Sequence, residues 1–144
     1  MFKSSFKYSI DAKGRVSIPA KIRKFVNPEA NDTFIMTRGT VKCIDVTPLD
    51  LWKEVEEKLN KLNPYDPKNS FFLRMFLSEA YEDKLDSQGR LLIPRNLIEH
   101  AEIDREAFII GINKKIEIWN PQNYEAYIKN IEFSYEEIAQ NAMR

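Results

Sequence analysis

A nine-residue pattern, D-x-x-G-R-x-x-I-P, occurs twice in the sequence, and this duplication restricts the possible folds more than any other feature. We call each copy of the pattern a word. Residues 11–19 read DAKGRVSIP and residues 86–94 read DSQGRLLIP, so that Asp, Gly, Arg, Ile and Pro fall at the same five positions. The two words begin 75 residues apart in a chain of 144. A motif repeated at this spacing predicts two copies of one structural unit.

The similarity continues after each word. The segments AKIRKFV and RNLIEHA follow with apolar residues at helical spacing, and the strand-like runs TFIMTR and AFIIGI come next. A second strand then ends at a proline in each half, in KCIDVTP and IEIWNP, before another helical stretch. We therefore predict an α+β fold in which the order strand, turn, strand, short helix, strand, strand, helix occurs twice, over roughly residues 5–60 and 81–130.

Helix starts and a connecting helix can also be predicted. Helices are expected where an N-cap residue precedes a proline, at Thr47, Asp66 and Asn120. The segment between the two units, DPKNSFFLRMFLSEA, is apolar around nearly its whole circumference when drawn as a helix. Such a helix is buried in a core or between subunits. We predict that it either joins the two halves or makes an oligomer contact.

The composition favours a globular chain in the cytoplasm. Hydrophobic residues make up 43% of the sequence, with only 4 Gly and 7 Pro, which provides apolar surface for a core and argues against disorder. The N-terminus lacks the continuous apolar stretch of a signal peptide, and no segment approaches the length of a membrane span. The one cysteine, Cys43, cannot form an internal disulfide. We expect a cytoplasmic protein with no membrane partner.

Charge is distributed unevenly along a chain whose formal net charge is zero. Residues 1–25 carry seven basic side chains and one acidic side chain, a local charge of +6. Local potential rather than total charge governs association with an anion. This segment is therefore consistent with an anionic partner such as nucleic acid and equally with a solvated surface. The seven basic residues are Lys3, Lys7, Lys13, Arg15, Lys21, Arg23 and Lys24.

The first four residues of each word have the composition of a tight turn. Asp is favoured at the first position of a type I turn and Gly at the fourth, where hairpins commonly need a positive φ. The Asp carboxylate can accept hydrogen bonds from the backbone amides that follow it. We therefore assign Asp11, Gly14, Asp86 and Gly89 to turn formation, which requires no ligand.

The arginine after each glycine, Arg15 or Arg90, is not required by the turn. One explanation is an ion pair with the Asp four residues earlier, which at a surface contributes about 0–1 kcal/mol. The other is that the Asp orients the guanidinium toward a ligand, since this planar cation suits phosphates and guanine edges. With Lys13 and Gln88 at the turn tips, two such hairpins would form a paired nucleic-acid reading surface, which is the interpretation we favour.

The two words, the intervening FFLRMFLSEA and the later IEIWNPQNYEAY together resemble the MraZ family of bacterial transcriptional regulators, which is related to the AbrB-type swapped-hairpin DNA binders. The resemblance covers nearly the whole chain. It implies two tandem swapped-hairpin repeats, at residues 5–47 and 81–124, that form a pseudo-dimeric, β-barrel-like core with flanking helices. Residues 48–80 are then a helical connector and residues 125–144 a C-terminal helical region.

The same resemblance implies a function. It predicts a nucleoid-associated, sequence-specific regulator that binds double-stranded DNA at short direct repeats upstream of the division and cell-wall gene cluster, including its own promoter. It also implies a ring-shaped homo-oligomer. By position, the signature arginines are Arg15 and Arg90, and their partners are Asp11 and Asp86. The further candidate DNA contacts are Lys3, Lys7, Lys13 and Gln88.

Two rival functions remain open from the sequence. An enzyme is disfavoured because Cys43 and the one histidine, His100, fall on a predicted strand and a predicted helix in different halves, and no Gly-rich phosphate loop or H-E-x-x-H motif occurs. We predict no catalysis, metal, cofactor or small-molecule substrate. The second rival is an antitoxin-like or structural protein-binding module on the same hairpin scaffold. Relatives of that kind usually carry a disordered acidic tail, whereas FSYEEIAQNAMR at the C-terminus is typical of a helix.

Overall fold

The computed structural model describes residues 1–144 and contains two copies of the predicted unit, which confirms the α+β class. The strands are β1 (Ser5–Ser9), β2 (Arg15–Ser17), β3 (Thr33–Arg38), β4 (Ile44–Pro48), β5 (Tyr81–Lys84), β6 (Arg90–Leu92), β7 (Glu106–Ile112) and β8 (Lys115–Trp119). The helices are α1 (Ala20–Arg23), α2 (Leu49–Asn60), α3 (Pro67–Ser78), α4 (Arg95–Ala101), α5 (Pro121–Lys129) and α6 (Tyr135–Ala142), with a 3-10 turn at Pro28–Ala30. None of these helices combines the length and apolar character that crossing a membrane requires.

The two halves exchange their first strands. A six-stranded antiparallel sheet has the order β1-β7-β8-β4-β3-β5. Strand β1 of the first half therefore pairs with β7 of the second half, and β5 of the second half pairs with β3 of the first. The halves also meet at the centre of the sheet, where β4 pairs with β8. Each half needs the other to supply an outer strand, which explains why the unit occurs twice in one chain.

A second, two-stranded sheet is formed by β2 and β6, the strands that follow the two turns. We call this antiparallel pair the ribbon. Val16 and Leu91 point to its inner side and are buried. They belong to a core cluster of 18 residues contributed by both halves. Ile18 and Ile93, near the ends of the two words, are buried in the same cluster.

Two of the three predicted helix starts are confirmed. The side chain of Asp66 accepts hydrogen bonds from two amides in the first turn of α3, and Asn120 does the same for α5. The prediction for Thr47 is wrong. This residue stays in β4, opposite Ile35 of β3, and α2 begins only at Leu49 without a side-chain cap. Pairing with β3 extends the strand by one further residue and keeps the threonine inside the sheet.

The connecting helix α3 does not lie in the core of the chain. None of its residues is buried, and the exposed fractions of Phe71, Phe72 and Leu77 are 65%, 40% and 48%. The helix contacts α2 through Trp52 and Phe76, whose rings stack with their centroids 6.0 Å apart. The core alternative for this segment is therefore wrong for the single chain, because the strands together with α1 and α4 fill the core. The oligomer alternative stays a prediction.

An ion pair between β3 and the C-terminal end of α3 makes stability depend on pH in acid. The side chain of Glu79, just after α3, accepts hydrogen bonds from Arg38, and the Arg38 Nη2 to Glu79 Oε1 distance is 3.1 Å. The hydrogen bond from Arg38 is the largest cause of the lowered pKa of the Glu79 carboxyl, whose usual value is 4.5. Since the folded state binds this proton less tightly than the unfolded state, the stabilisation is present above pH 4.5 and is lost as pH falls through the folded-state pKa.

We expect the urea midpoint of the wild-type protein to fall more steeply below about pH 4.5 than the midpoint of Glu79→Gln. The corresponding difference in the free energy of unfolding should be about 1 kcal/mol or less, because the ion pair is partly exposed. Urea melts between about pH 3 and pH 7 measure this difference. Parallel profiles for the two proteins would show that the pair contributes nothing to stability.

Candidate nucleic-acid interface

Both predicted turns are present and have the same geometry. In the first, the Gly14 amide donates to the Asp11 carbonyl at 3.0 Å, and the Asp11 amide donates to the Arg15 carbonyl at 3.0 Å. The equivalent bonds of the second turn measure 3.0 and 2.9 Å. Gly14 and Gly89 have φ values of 89° and 74°, which side chains larger than hydrogen rarely allow. The prediction of turns closed by a positive-φ glycine is confirmed.

Each turn is locked by its aspartate. Asp11 Oδ1 accepts hydrogen bonds from the amides of Lys13 and Arg15 at 3.0 and 2.9 Å, and Oδ2 accepts from Arg15 Nε at 2.7 Å. Asp86 accepts the same three bonds in the second turn, each at 2.9 Å. The backbone hydrogen bond from the following arginine is the largest cause of the lowered pKa of each carboxyl. Both turns are therefore held by ionised carboxylates at neutral pH.

The two arginines are restrained through Nε alone. The Nη nitrogens of Arg15 and Arg90 make no hydrogen bond within the chain, and the side chains are 34% and 27% exposed. The two explanations for each arginine, an ion pair with the aspartate and a guanidinium oriented toward a ligand, are therefore compatible. The carboxylate binds one edge of the guanidinium and leaves the other edge unpaired. A cation restrained in this way loses less conformational entropy when it binds a phosphate or a guanine edge.

Both arginines lie on the same face of the ribbon. In the antiparallel register, Arg15 is opposite Leu92 and Arg90 is opposite Ser17. Because side chains alternate along a strand, these four residues share the face that points away from the core, and the two arginines are diagonal neighbours on it. The turn-tip residues predicted to accompany them are exposed beside this face: Lys13 and Gln88.

Each turn is completed by the other half of the chain. The Ile18 amide donates to the Gly89 carbonyl of the second turn at 3.0 Å, and the Ile93 amide donates to the Gly14 carbonyl at 2.8 Å. The backbones approach closely, since a Cβ built on Gly14 would lie 2.9 Å from the Ile93 carbonyl oxygen. Glycine is therefore required here by both the positive φ and the neighbouring backbone. The duplicated word makes two turns that fix each other in place.

Sequence reasoning missed one cation that the structure places beside a turn. Arg23, at the end of α1, donates from Nε to the Ile18 carbonyl at 2.9 Å. Its guanidinium lies against the second turn, where a Cβ built on Gly89 would be 2.8 Å from Arg23 Cζ. The sequence placed Arg23 in the basic N-terminal segment but gave no sign of this position. The contact depends on the exchange between halves, which local patterns do not reveal.

The remaining predicted DNA contacts, Lys3 and Lys7, lie outside the ribbon. Lys3 Nζ is 5.7 Å from the centroid of the Phe25 ring, a cation–π distance. Lys7 on β1 faces Glu106 at 3.9 Å, and both side chains are more than half exposed. Both lysines are accessible to a phosphate, although Glu106 offsets the charge of Lys7. Their participation in DNA binding stays a prediction.

One group of side chains elsewhere has the composition of a metal site. Cys43 Sγ and carboxylate oxygens of Asp45 and Glu117 lie within 4.8 Å of one another. Asp45 and Glu117 face each other across β4 and β8, and Lys115 Nζ lies 3.0 Å from the first and 3.5 Å from the second. The lysine therefore pairs with both carboxylates, and its single positive charge offsets part of their combined negative charge. Burial raises the pKa of the Cys43 thiol, which disfavours the thiolate that a metal requires. We describe the group as an ion-pair network across the sheet.

Comparison with known proteins identifies a family. The family model described as "MraZ protein, putative antitoxin-like" matches residues 1–75 and again residues 76–144. A protein from Thermoanaerobacter pseudethanolicus named Transcriptional regulator MraZ is 43% identical over 142 residues, which cover 98% of this chain and 96% of the relative. Proteins with the same name from Halothermothrix orenii and Pediococcus pentosaceus are 44% and 38% identical. Their matches cover 96% and 98% of this chain, and 94% and 96% of the relatives.

Proposed function

The chain belongs to the MraZ family of transcriptional regulators, and we propose that it binds double-stranded DNA sequence-specifically through the ribbon and the two turns. The observation that carries this proposal is the pair of guanidinium groups on the outer face of the ribbon. Arg15 and Arg90 are each held by an aspartate through Nε, and each keeps its Nη groups unpaired. Arginine donating two hydrogen bonds to guanine is the commonest specific contact in the major groove.

The proposed complex places the ribbon in the major groove. This groove is about 12 Å wide and admits a two-stranded antiparallel ribbon. The inner side of the ribbon is already fixed to the core through Val16 and Leu91, so that docking needs no rearrangement of the chain. Contacts then divide into base readers on the ribbon face and backbone contacts around it. The proposed base readers are Arg15 and Arg90, and the proposed surrounding contacts are Lys3, Lys7, Lys13 and Gln88.

The proposed active form is a ring of several copies. It is supported by three apolar side chains of α3 that stay 40–65% exposed in the single chain, those of Phe71, Phe72 and Leu77, since large exposed apolar patches mark interaction surfaces. One subunit offers few DNA contacts, whereas a rigid assembly binds repeated sites multivalently. Short direct repeats spaced about 10 bp apart would present every site on one face of the duplex.

The family resemblance also supports the proposed location and targets. These are sites upstream of the division and cell-wall gene cluster, including the promoter of this chain's own gene, with the regulator at the nucleoid in the cytoplasm. For the architecture, the proposal is a barrel-like pseudo-dimer, because buried residues of both sheets belong to one cluster. The proposed repeats span residues 5–47 and 81–124, with a connector at 48–80 and a C-terminal region at 125–144.

A DNA titration tests the proposed function. A labelled fragment from upstream of the chain's own gene is compared with the same fragment in scrambled order by fluorescence anisotropy, at several salt concentrations. We expect the native fragment to bind at least roughly 1,000-fold more tightly, with log K falling linearly as log salt rises. Equal affinity for the two fragments, or no binding of either, contradicts sequence-specific recognition.

An antitoxin-like protein-binding role is the second candidate, because the description of the matching family includes that term. Such a module would use its exposed surfaces to hold a protein rather than DNA. Affinity capture from the native cell, with bound DNA sequenced in parallel, separates the two roles. A stoichiometric protein partner without an enriched promoter fragment favours the antitoxin-like role, and an enriched upstream fragment favours the regulator.

A further inference from the structure

The two turns differ in what the opposite half places against them. With the offset of 75 residues between the words, Arg23 of the first half corresponds to Ile98 of the second. Each covers the turn glycine of the other half. A Cβ built on Gly89 would lie 2.8 Å from Arg23 Nη1, and a Cβ built on Gly14 would lie 3.2 Å from Ile98 Cδ1. One turn is therefore covered by a permanent cation and the other by an aliphatic group.

The charge at the turn tips differs in the opposite sense, since the cation here lies on the first turn. The first turn carries Lys13 at its tip, and the second carries the neutral Gln88 at the same position. In each turn the motif arginine is already paired with its own aspartate, Asp11 or Asp86. Apart from the motif arginine, the first turn therefore carries a cation at its own tip, Lys13. The second turn carries none at its tip, and the cation beside it, Arg23, comes from α1 of the other half.

The cation at the second turn is held in position. Arg23 Nε donates to the Ile18 carbonyl at 2.9 Å, and the Ile18 amide donates to the Gly89 carbonyl at 3.0 Å. This short chain of hydrogen bonds ties the guanidinium to the turn. Arg23 is exposed and forms no ion pair. It lines an open cleft at the second turn together with Lys24, Ser87, Asp86 and Asp32.

We propose that Arg23 is the DNA-backbone contact of the second turn, so that this turn is a composite site built from both halves of the chain. The proposal rests on the proposed function and deepens it. The first half then supplies the backbone cation of both turns, Lys13 to its own and Arg23 to the other. A phosphate contact carries no sequence information. Arg23 therefore sets the strength and salt dependence of binding, while Arg15 and Arg90 set the base preference.

The decisive experiment compares Arg23→Gln with the double variant Arg23→Gln/Gln88→Lys. We expect Arg23→Gln to weaken binding of cognate and scrambled DNA alike, by roughly three- to tenfold at about 150 mM salt, and to reduce the slope of log K against log salt by about 0.9. The double variant moves the lost cation to the tip of the second turn, and we expect it to restore the slope. Anisotropy titrations over a salt series measure both quantities.

Two further variants separate charge from structure. Arg23→Lys keeps the charge and is expected to bind within about twofold of the wild-type protein, while Lys61→Gln removes an exposed charge beyond α2 and is expected to leave the slope unchanged. The inference is overturned if Arg23→Gln keeps the wild-type slope, or if folded Arg23→Lys is as weak as Arg23→Gln. Circular dichroism establishes that each variant is folded. Absence of DNA binding by the wild-type protein would instead remove the proposed function itself.

Discussion

Replacing Arg15 and Arg90 together by alanine is expected to remove most of the preference for cognate over scrambled DNA while leaving the fold intact. An arginine that donates two hydrogen bonds to a base pair contributes roughly 1–3 kcal/mol of discrimination. Two such contacts on independent bases contribute roughly 2–6 kcal/mol together. The turns should persist, because the bonds from the backbone amides to Asp11 and Asp86 do not involve the arginine side chains.

The measurement is an anisotropy titration of the double variant against both DNAs, with a thermal melt followed by circular dichroism. A matched control is Lys53→Ala/Lys61→Ala, which removes two positive charges from exposed positions on and just after α2. This control should weaken both complexes slightly and equally, since it changes net charge away from the ribbon. If the arginine double variant keeps the cognate preference, then the ribbon face does not read the sequence.

The order of elements was predictable because its signals act over a few residues. Asp and Gly at fixed offsets make the turns, and apolar spacing distinguishes the strands from the helices. Such local signals gave the wrong conformation at Thr47. Its side chain and the following proline favour a helix start locally, but pairing with Ile35 of β3 decides its conformation. The exchange of β1 and β5 between halves is a long-range choice that periodicity does not contain, and the sequence indicated it only through a family resemblance.

In the candidate site too, contacts within a few residues were predictable from the sequence, whereas contacts between the two halves were not. The aspartate, glycine and arginine of each turn interact within four residues, so that their geometry followed from the word itself. Arg23 reaches Gly89 only because the second half folds across the first, and no spacing within either half predicts that contact. For α3, the apolar pattern indicated that the helix needs a partner. It could not indicate how little of α3 the same chain covers beyond its contact with α2, because the packing of the core is a property of the whole fold.

Changing Phe71 to glutamate is expected to dissociate the proposed assembly into single chains and to weaken its binding to an array of repeats by roughly 100- to 10,000-fold. Phe71 is 65% exposed on α3 in the single chain. An unpaired carboxylate there must be desolvated if the helix is covered by another subunit. Affinity for a DNA carrying one site should hardly change, because the ribbon lies on a different part of the chain and each subunit keeps its own contacts.

Light scattering after size-exclusion chromatography gives the mass, and titrations against one-site and multi-site DNA give the loss of multivalency. Ser78→Glu adds the same charge at an exposed position at the end of α3, and we expect it to keep both the mass and the affinity for the array. Two results contradict the proposed assembly. If Phe71→Glu keeps the wild-type mass, the apolar face of α3 is not the contact between subunits. If it becomes a single chain but binds the array as tightly as before, then the arginines of one subunit suffice and the ring contributes nothing to recognition.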